Sequence, residues 1–167
     1  MAACFIKFDA VSLSIVLSEE QLLVRRIKDG TVLDHVEPGR SLRVLSALSI
    51  TGAEGNTVTI AMNVPSSKME KKDIVKIANR FLNPEETNRI ALISPRASVN
   101  LIKDYKVVEK RNVELPVAFI AVFKCPNPTC ISNSNEPITP VIEVIRKTHP
   151  ILRCKYCARI LQPEDIL

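Results

Sequence analysis

Apolar residues recur with two different periods along the first two thirds of the chain, and the change of period marks the predicted elements. Stretches that alternate apolar and polar residues, or that are rich in β-branched residues, predict strands. Stretches with apolar residues three or four positions apart predict amphipathic helices. The predicted strands are 22–28, 31–36, 57–64, 71–77, 97–102 and 105–109, and the predicted helices are 40–49 and 85–93.

Turn-forming residues separate these elements. Asp29 and Gly30 predict a turn after the first strand, because glycine tolerates a positive φ. Pro84 lies at the expected first turn of the second helix, where two glutamates follow it and interact favourably with the helix dipole. A tight turn at 103–104 joins the last two strands into a hairpin.

The order of elements predicts an α+β fold with two domains. Residues 1–116 form a ferredoxin-like sandwich, in which one antiparallel sheet carries two helices on a single face. Residues 1–20 are an extension of this domain without an assigned role. After a boundary at 115–116, a strand over 117–123 leads into a small all-β domain, 117–167.

The small domain contains two pairs of cysteines: Cys125 and Cys130, then 23 residues, then Cys154 and Cys157. This spacing is typical of a tetrahedral site in which four thiolates bind zinc at about 2.3 Å. The alternative is two disulfides, but the N-terminus has no basic segment ahead of a long apolar run, as a secreted protein would need. The sequence therefore predicts one structural zinc ion per chain. Cys4 is left over and receives no role.

Composition argues against a membrane or nucleic-acid partner. No apolar run reaches the roughly 18 residues needed to span a bilayer, so a soluble, cytoplasmic protein is expected. The net charge of +5 is spread along the chain, with 17 Lys and Arg against 14 Asp and Glu in 1–116 and 6 against 4 in 117–167. Nucleic-acid binding uses a basic stripe and stacking aromatics, and this chain has neither a stripe nor a tryptophan.

No catalytic residue is predicted. The chain has only four glycines, and they form neither a dinucleotide-binding fingerprint nor a P-loop. Asp34 and His35 are a possible acid-base pair, but neighbours on a strand point to opposite faces, so we interpret them as a polar strand end. Four cysteine ligands would leave a zinc ion without an open coordination position.

Lysines cluster around the fourth predicted strand and again around the closing hairpin. Such clusters are usually solvated faces, although lysines from two strands can also converge on a polyphosphate. Spacing alone leaves both interpretations open. The two clusters are Lys68, Lys71, Lys72 and Lys76, and Lys103, Lys106, Lys110 and Arg111.

Several motifs, in order from about residue 22 to residue 157, resemble the regulatory chain of aspartate carbamoyltransferase. They are GTVLDH at 30–35, NVPS at 63–66, KDIVKI at 72–77, residues 95–100, CPNPTCIS at 125–132 and CKYC at 154–157. The resemblance implies a noncatalytic subunit of pyrimidine biosynthesis that binds nucleotide effectors (CTP or UTP, and ATP). It also implies pairing with a second regulatory chain and contact with catalytic chains through the zinc domain. The alternative is a nucleic-acid-binding zinc ribbon.

The resemblance also implies site residues. Val24 and Ile27 would contact the base, with Asp34 and His35 near the sugar and phosphates. The remaining nucleotide positions are Lys72, Lys76, Asn100, Ile102, Tyr105, Val107 and Lys110. The positions implied for the catalytic-chain interface are Asn127, Lys155 and Tyr156. The departures from the family pattern are Arg25 and Arg26 at the base and ribose, and Thr129 and Ala158 at the interface.

Overall fold

The structure, a computed structural model, describes residues 25–167 and contains two antiparallel sheets. The predictions that concern Cys4, Val24 and the beginning of the first predicted strand lie outside the described residues. The first unit consists of β1 (Gly30–Val36), α1 (Ser41–Ala47), β2 (Val58–Ser66), β3 (Glu70–Ala78), α2 (Pro84–Ile93), β4 (Ser98–Lys103) and β5 (Lys106–Asn112). The second consists of β6 (Ala118–Ile120), β7 (Val141–Arg146), β8 (Ile151–Cys154) and β9 (Ile160–Leu161), with 3-10 helices at Ile131–Asn133 and Pro163–Asp165.

The first sheet has the strand order β2-β3-β1-β4-β5. Its neighbours are all antiparallel, so strands β1 to β4 and the two helices form the predicted ferredoxin-like unit, and β5 extends one edge. Side chains of both helices share one buried cluster with Leu33, Val75 and Val99 from the sheet. The helices therefore cover one face of the sheet, and we call the opposite side the helix-free face.

Two details of the predicted strands are wrong. Arg25 to Asp29 form no strand, because β1 is already hydrogen-bonded to β3 on one side and β4 on the other, which leaves no edge for a hairpin partner. The closing hairpin turns at Asp104 and Tyr105, one residue later than predicted. Both have positive φ, at 47° and 63°, as a type I′ turn requires.

A buried carboxylate ties the first helix to the sheet. Asp73 on β3 is fully buried and accepts hydrogen bonds from the backbone N–H groups of Gly39 at 2.9 Å, Ser41 at 3.3 Å and Asn63 at 2.9 Å. The Ser41 hydroxyl is a fourth donor. Since a buried carboxylate is costly unless its oxygens are satisfied, this network fixes the entry of α1 against β2 and β3.

The second helix begins where the sequence predicts. Asn83 precedes Pro84, and its side chain accepts a hydrogen bond from the Glu86 N–H at 2.8 Å. The Glu86 carboxylate accepts one in return from the Asn83 N–H at 2.9 Å, which completes a capping box. This box fixes the beginning of α2.

The second sheet packs directly against the first unit. Its strand β6 is shorter than predicted because Ala121 has a φ of 59° and turns the chain. Leu115 and Phe119 belong to the same buried cluster as the helices. At the surface, Arg43 of α1 and Glu164 form an ion pair at 3.2 Å, so packing and charge both join the two units.

Candidate functional site

The four predicted metal ligands converge at one point. The Sγ atoms of Cys125, Cys130, Cys154 and Cys157 all lie within 4.8 Å of one another. Two of the distances, Cys125 to Cys157 and Cys130 to Cys154, are 3.7 Å, far longer than the about 2.05 Å of a disulfide. A tetrahedral ion with about 2.3 Å bonds to sulfur requires sulfur atoms about 3.8 Å apart. The residues present therefore fit a four-thiolate metal ion.

Donors around two of the four sulfur atoms favour the thiolate form that a metal binds. The Ser132 hydroxyl lies 3.2 Å from the Cys130 sulfur, and this hydrogen bond is the main cause that lowers the pKa of Cys130. The backbone N–H of Arg159 is the main cause that lowers the pKa of Cys157 to about 6. Thiolates are the ligand form of cysteine, so the surroundings of Cys130 and Cys157 favour metal binding, whereas burial raises the pKa of Cys125 to about 12.

The three predicted interface positions lie in the two cysteine turns. The Asn127 side chain accepts hydrogen bonds from the N–H of Thr129 at 3.2 Å and from its hydroxyl at 2.9 Å, so it helps to shape the turn. The Tyr156 hydroxyl donates to the Thr139 carbonyl at 2.8 Å. Lys155, between the second pair of cysteines, is exposed. Next to Cys130, the apolar side chain of Ile131 is 52% exposed, although the sequence suggested no interface role for it.

The helix-free face of the five-stranded sheet brings together residues from four strands. The register aligns Lys76 on β3 with Val32 on β1, Val32 with Asn100 on β4, and Asn100 with Lys110 on β5. Directly opposed residues point to the same side of a sheet, so these four form one row across three strand spacings, or about 14 Å. Lysines from both predicted clusters thus end up on one surface.

A bulge at the end of β1 brings Asp34 and His35 into contact. The His35 φ of 57° turns its side chain back, and its Nδ1 lies 3.1 Å from Oδ2 of Asp34. The expectation that the two side chains point to opposite faces is therefore wrong. Lys72 Nζ lies 2.8 Å from the other Asp34 oxygen. Burial alone would raise the pKa of Asp34, but the hydrogen bonds from Lys72 and His35 outweigh it and leave this pKa below its usual value.

Apolar side chains and a turn lie beside this row, at the hairpin end of β4 and β5. Ile102 is only 8% exposed although it lies outside the main core cluster, and it pairs with the exposed Val107 on β5. The N–H of Tyr105 donates to the Lys28 carbonyl at 2.9 Å, so the segment before β1, which contains the half-buried Ile27, runs beside this end. This part of the helix-free face therefore presents apolar side chains and backbone hydrogen-bonding groups to a ligand.

A pocket of about 210 Å³ lies on the opposite side of the row, near His35, and several of its lining residues were not predicted from the sequence. Lys68, Arg96 and Lys110 contribute positive charge, and no lining residue is acidic. Ser98, only 3% exposed, lines the pocket with a hydroxyl that has no hydrogen-bond partner. We call this the cationic pocket. Its lining residues come from four separated segments of the chain, which only the fold brings together.

Two further observations concern Lys103 and the helices. Lys103, from the second predicted lysine cluster, lies 5.6 Å from the centre of the Phe81 ring instead of in the pocket. Within residues 25–167, no helix is both long and apolar enough to cross a bilayer.

Two family models match this chain, one for each unit. Residues 22–114 match the allosteric domain of the aspartate carbamoyltransferase regulatory chain, and residues 119–167 match its metal-binding domain. Together the two models span both sheets and all four cysteines.

Curated relatives agree with the family models. A chain from Cenarchaeum symbiosum is 54% identical over 145 residues, which is 87% of this chain and 95% of that one. One from Nitrosopumilus maritimus is 50% identical over 150 residues, covering 90% and 98%. One from Thermofilum pendens is 47% identical over 150 residues, covering 89% and 94%. All three are named aspartate carbamoyltransferase regulatory chain.

Proposed function

Because this chain belongs to the family of aspartate carbamoyltransferase regulatory chains, we propose that it is a noncatalytic subunit that responds to nucleotides. It assembles with the catalytic chains of aspartate carbamoyltransferase and with a second regulatory chain in the cytoplasm. Residues 1–116 form the domain that binds the effector. Residues 117–167 form the domain that contacts the catalytic chain.

The observation that carries the nucleotide proposal is the row of Lys76, Val32, Asn100 and Lys110 on the helix-free face, with apolar side chains on its hairpin side and the cationic pocket on its opposite side. The base lies on the hairpin side of the row, at Ile102, Tyr105 and Val107, beside the segment that contains Ile27. Val24, which the resemblance implies as a further base contact, lies outside the described residues. Asn100 in the middle of the row offers an amide to the base or ribose. The phosphates lie in the cationic pocket, beside His35 and Lys110, because a pocket with three cations and no carboxylate suits a polyphosphate.

Lys72 and Lys76 flank the sugar and phosphates from β3. Lys72 is held by Asp34 at 2.8 Å, while Lys76 donates to the Arg25 carbonyl at 2.7 Å. Burial is the main cause that lowers the pKa of Lys76, and the positive charge of Arg26 lowers it further. Arg25 and Arg26 thus add positive charge beside the ribose, where they influence which effector this chain prefers.

The metal is zinc, one ion per chain, held by Cys125, Cys130, Cys154 and Cys157. Its role is structural, since four thiolates complete its coordination. The turns that the ion fixes present Asn127, Lys155 and Tyr156 to the catalytic chain. Ile131 beside them adds exposed apolar surface, which is the kind of residue that interfaces bury.

Replacement of Lys110 by alanine should weaken the binding of CTP or ATP by about tenfold or more, because a charge-assisted contact with phosphate is lost. Isothermal titration calorimetry on the full chain measures this. The matched control is Lys103→Ala, which removes a lysine from the same hairpin outside the pocket and should leave affinity within about twofold. Equal affinities for all three proteins would contradict the proposed site.

The same titrations distinguish the proposed function from the alternative, a nucleic-acid-binding zinc ribbon. Mononucleotide binding should saturate at one site per chain. A nucleic-acid-binding protein would instead bind a DNA or RNA duplex with an affinity that falls steeply as salt rises. Steep, salt-dependent duplex binding without saturable mononucleotide binding would favour that alternative.

A further inference from the structure

Arg96 borders two cavities at once. It lines the cationic pocket on the helix-free face, and it also lines a cleft of about 620 Å³ between the two units. Glu37 and Arg40 line this cleft from the first unit, and Lys147 and His149 line it from the turn between β7 and β8. We call this cavity the interdomain cleft. Arg96 is the one residue common to the linings of these two cavities.

On the cleft side, Arg96 shares a carboxylate with Arg40. Glu37 Oε2 lies 3.2 Å from Arg40 Nε, whereas Glu37 Oε1 lies 3.6 Å from Arg96 Nη2. The Arg40 guanidinium also donates to the Ile93 carbonyl at 3.2 Å, and the Glu37 N–H donates to the Ser94 hydroxyl at 2.9 Å. Glu37 and Arg40 are therefore anchored to the end of α2. The 3.6 Å contact of Arg96 is longer than a normal hydrogen bond, so Arg96 is the loosely held partner.

On the pocket side, Arg96 lies near other cations and near a hydroxyl group that has no hydrogen-bond partner. Its side chain is 67% exposed and can rotate without opening the core. The pocket holds Lys68 and Lys110, contains no carboxylate, and ends on the buried, unpartnered hydroxyl of Ser98. A guanidinium binds phosphate in a bidentate manner, and this geometry is stronger and more selective than a single lysine contact.

We propose that Arg96 exchanges its contact with Glu37 for the terminal phosphate of a bound nucleoside triphosphate. The proposal rests on the proposed function, since it requires a nucleotide with its phosphates in the cationic pocket. Arg96 is then the residue that distinguishes triphosphates from monophosphates. The same movement removes one of the two cations on Glu37, so phosphate binding changes the charge balance of the interdomain cleft facing Lys147 and His149.

A double-mutant cycle on the full chain tests this exchange. The variants are Arg96→Gln, Glu37→Gln and the two combined, and calorimetry measures affinity for CTP, ATP and their monophosphates. Arg96→Gln should weaken triphosphate binding about tenfold and change monophosphate binding less than about twofold. Glu37→Gln should strengthen triphosphate binding several-fold, because the competing carboxylate is gone. The double variant should behave as Arg96→Gln, since without Arg96 the loss of Glu37 has no effect.

Lys147→Gln is the matched control. It removes a cation that lines only the cleft, so triphosphate affinity should stay within about twofold of the unchanged chain. Far-UV circular dichroism and urea midpoints confirm that each variant is folded.

Three results would overturn the exchange: Arg96→Gln binds triphosphates normally, it weakens triphosphates and monophosphates equally, or Glu37→Gln weakens triphosphate binding. If Lys110→Ala loses binding while Arg96→Gln retains it, the exchange alone is wrong. If the unchanged chain binds none of these nucleotides, the nucleotide part of the proposed function is wrong and the exchange falls with it.

Discussion

Stripping the metal from this chain with a mercurial and a chelator should unfold the sheet of β6 to β9 while the five-stranded sheet stays folded. A structural zinc ion contributes roughly 10 kcal/mol to the folding of a small domain. The second sheet has strands of two to six residues, so its own apolar burial is small. Loss of zinc, measured by mass spectrometry, should coincide with greater sensitivity to limited proteolysis and with a loss of circular dichroism signal.

Cys154→Ser is the genetic version of this experiment. The variant should lose the metal and become sensitive to protease after residue 117, since three thiolates bind zinc more weakly than four. Cys4→Ser is the matched control, because Cys4 lies far from the two cysteine pairs in sequence, and it should keep one zinc per chain. A four-thiolate site also accepts iron, so a coloured protein that contains iron would contradict the zinc assignment. A protease-resistant second sheet without metal would contradict its structural role.

The second large effect is expected at Gly30, the first residue of β1. An added Cβ would lie 2.2 Å from the Ile77 carbonyl oxygen and 3.0 Å from the Asn79 nitrogen, and the φ of 134° is one that other residues rarely adopt. Backbone atoms cannot move aside without breaking the pairing of β1 with β3. Gly30→Ala should therefore lower the free energy of unfolding by about 3 kcal/mol or more, as measured by urea denaturation.

Gly55→Ala separates steric collision from backbone strain. Gly55 also has a positive φ, at 75°, but an added Cβ would meet no atom within 4 Å. This variant should lose only about 1 kcal/mol, which is the cost of placing alanine in the left-handed region. Equal losses for the two variants would show that the contact with Ile77 contributes nothing.

The elements that sequence predicted well depend on local chemistry. The two cysteine pairs each form a ligand turn within a few residues, so the spacing alone indicates the metal site. The capping residues around Pro84 and the β-branched strand at 58–66 are similarly local signals. These features need no knowledge of which strands become neighbours.

The features that sequence missed depend on register and on single backbone angles. The contact between Asp34 and His35 requires the positive φ of His35, which nothing in the alternation of residues indicates. Ser98 joins the cationic pocket because it pairs with Asp34 on one side and Asn112 on the other. Arg96 joins it because the loop after α2 passes the same point. Spacing along the chain carries no information about such cross-strand neighbours.

The proposed regulatory role requires that nucleotide binding in the first unit change the activity of a catalytic chain bound to the second unit. A nucleotide can change activity only if it binds the states of the assembly with different affinities, and such coupling is typically about 1 to 3 kcal/mol. The continuous core through Leu115 and Phe119, together with the ion pair of Arg43 and Glu164, joins the two units. The two units are therefore mechanically connected, as coupling demands.

The most direct test is to co-purify this chain with the aspartate carbamoyltransferase catalytic chain of the same organism and to measure activity with and without CTP and ATP. The proposed function predicts a stable complex in which at least one nucleotide shifts the aspartate saturation curve by roughly fivefold. In a complex with Lys110→Ala the same shift should require about tenfold more nucleotide while the basal activity remains. Failure to assemble, or a stable complex with the same activity at every nucleotide concentration, would contradict the proposed role.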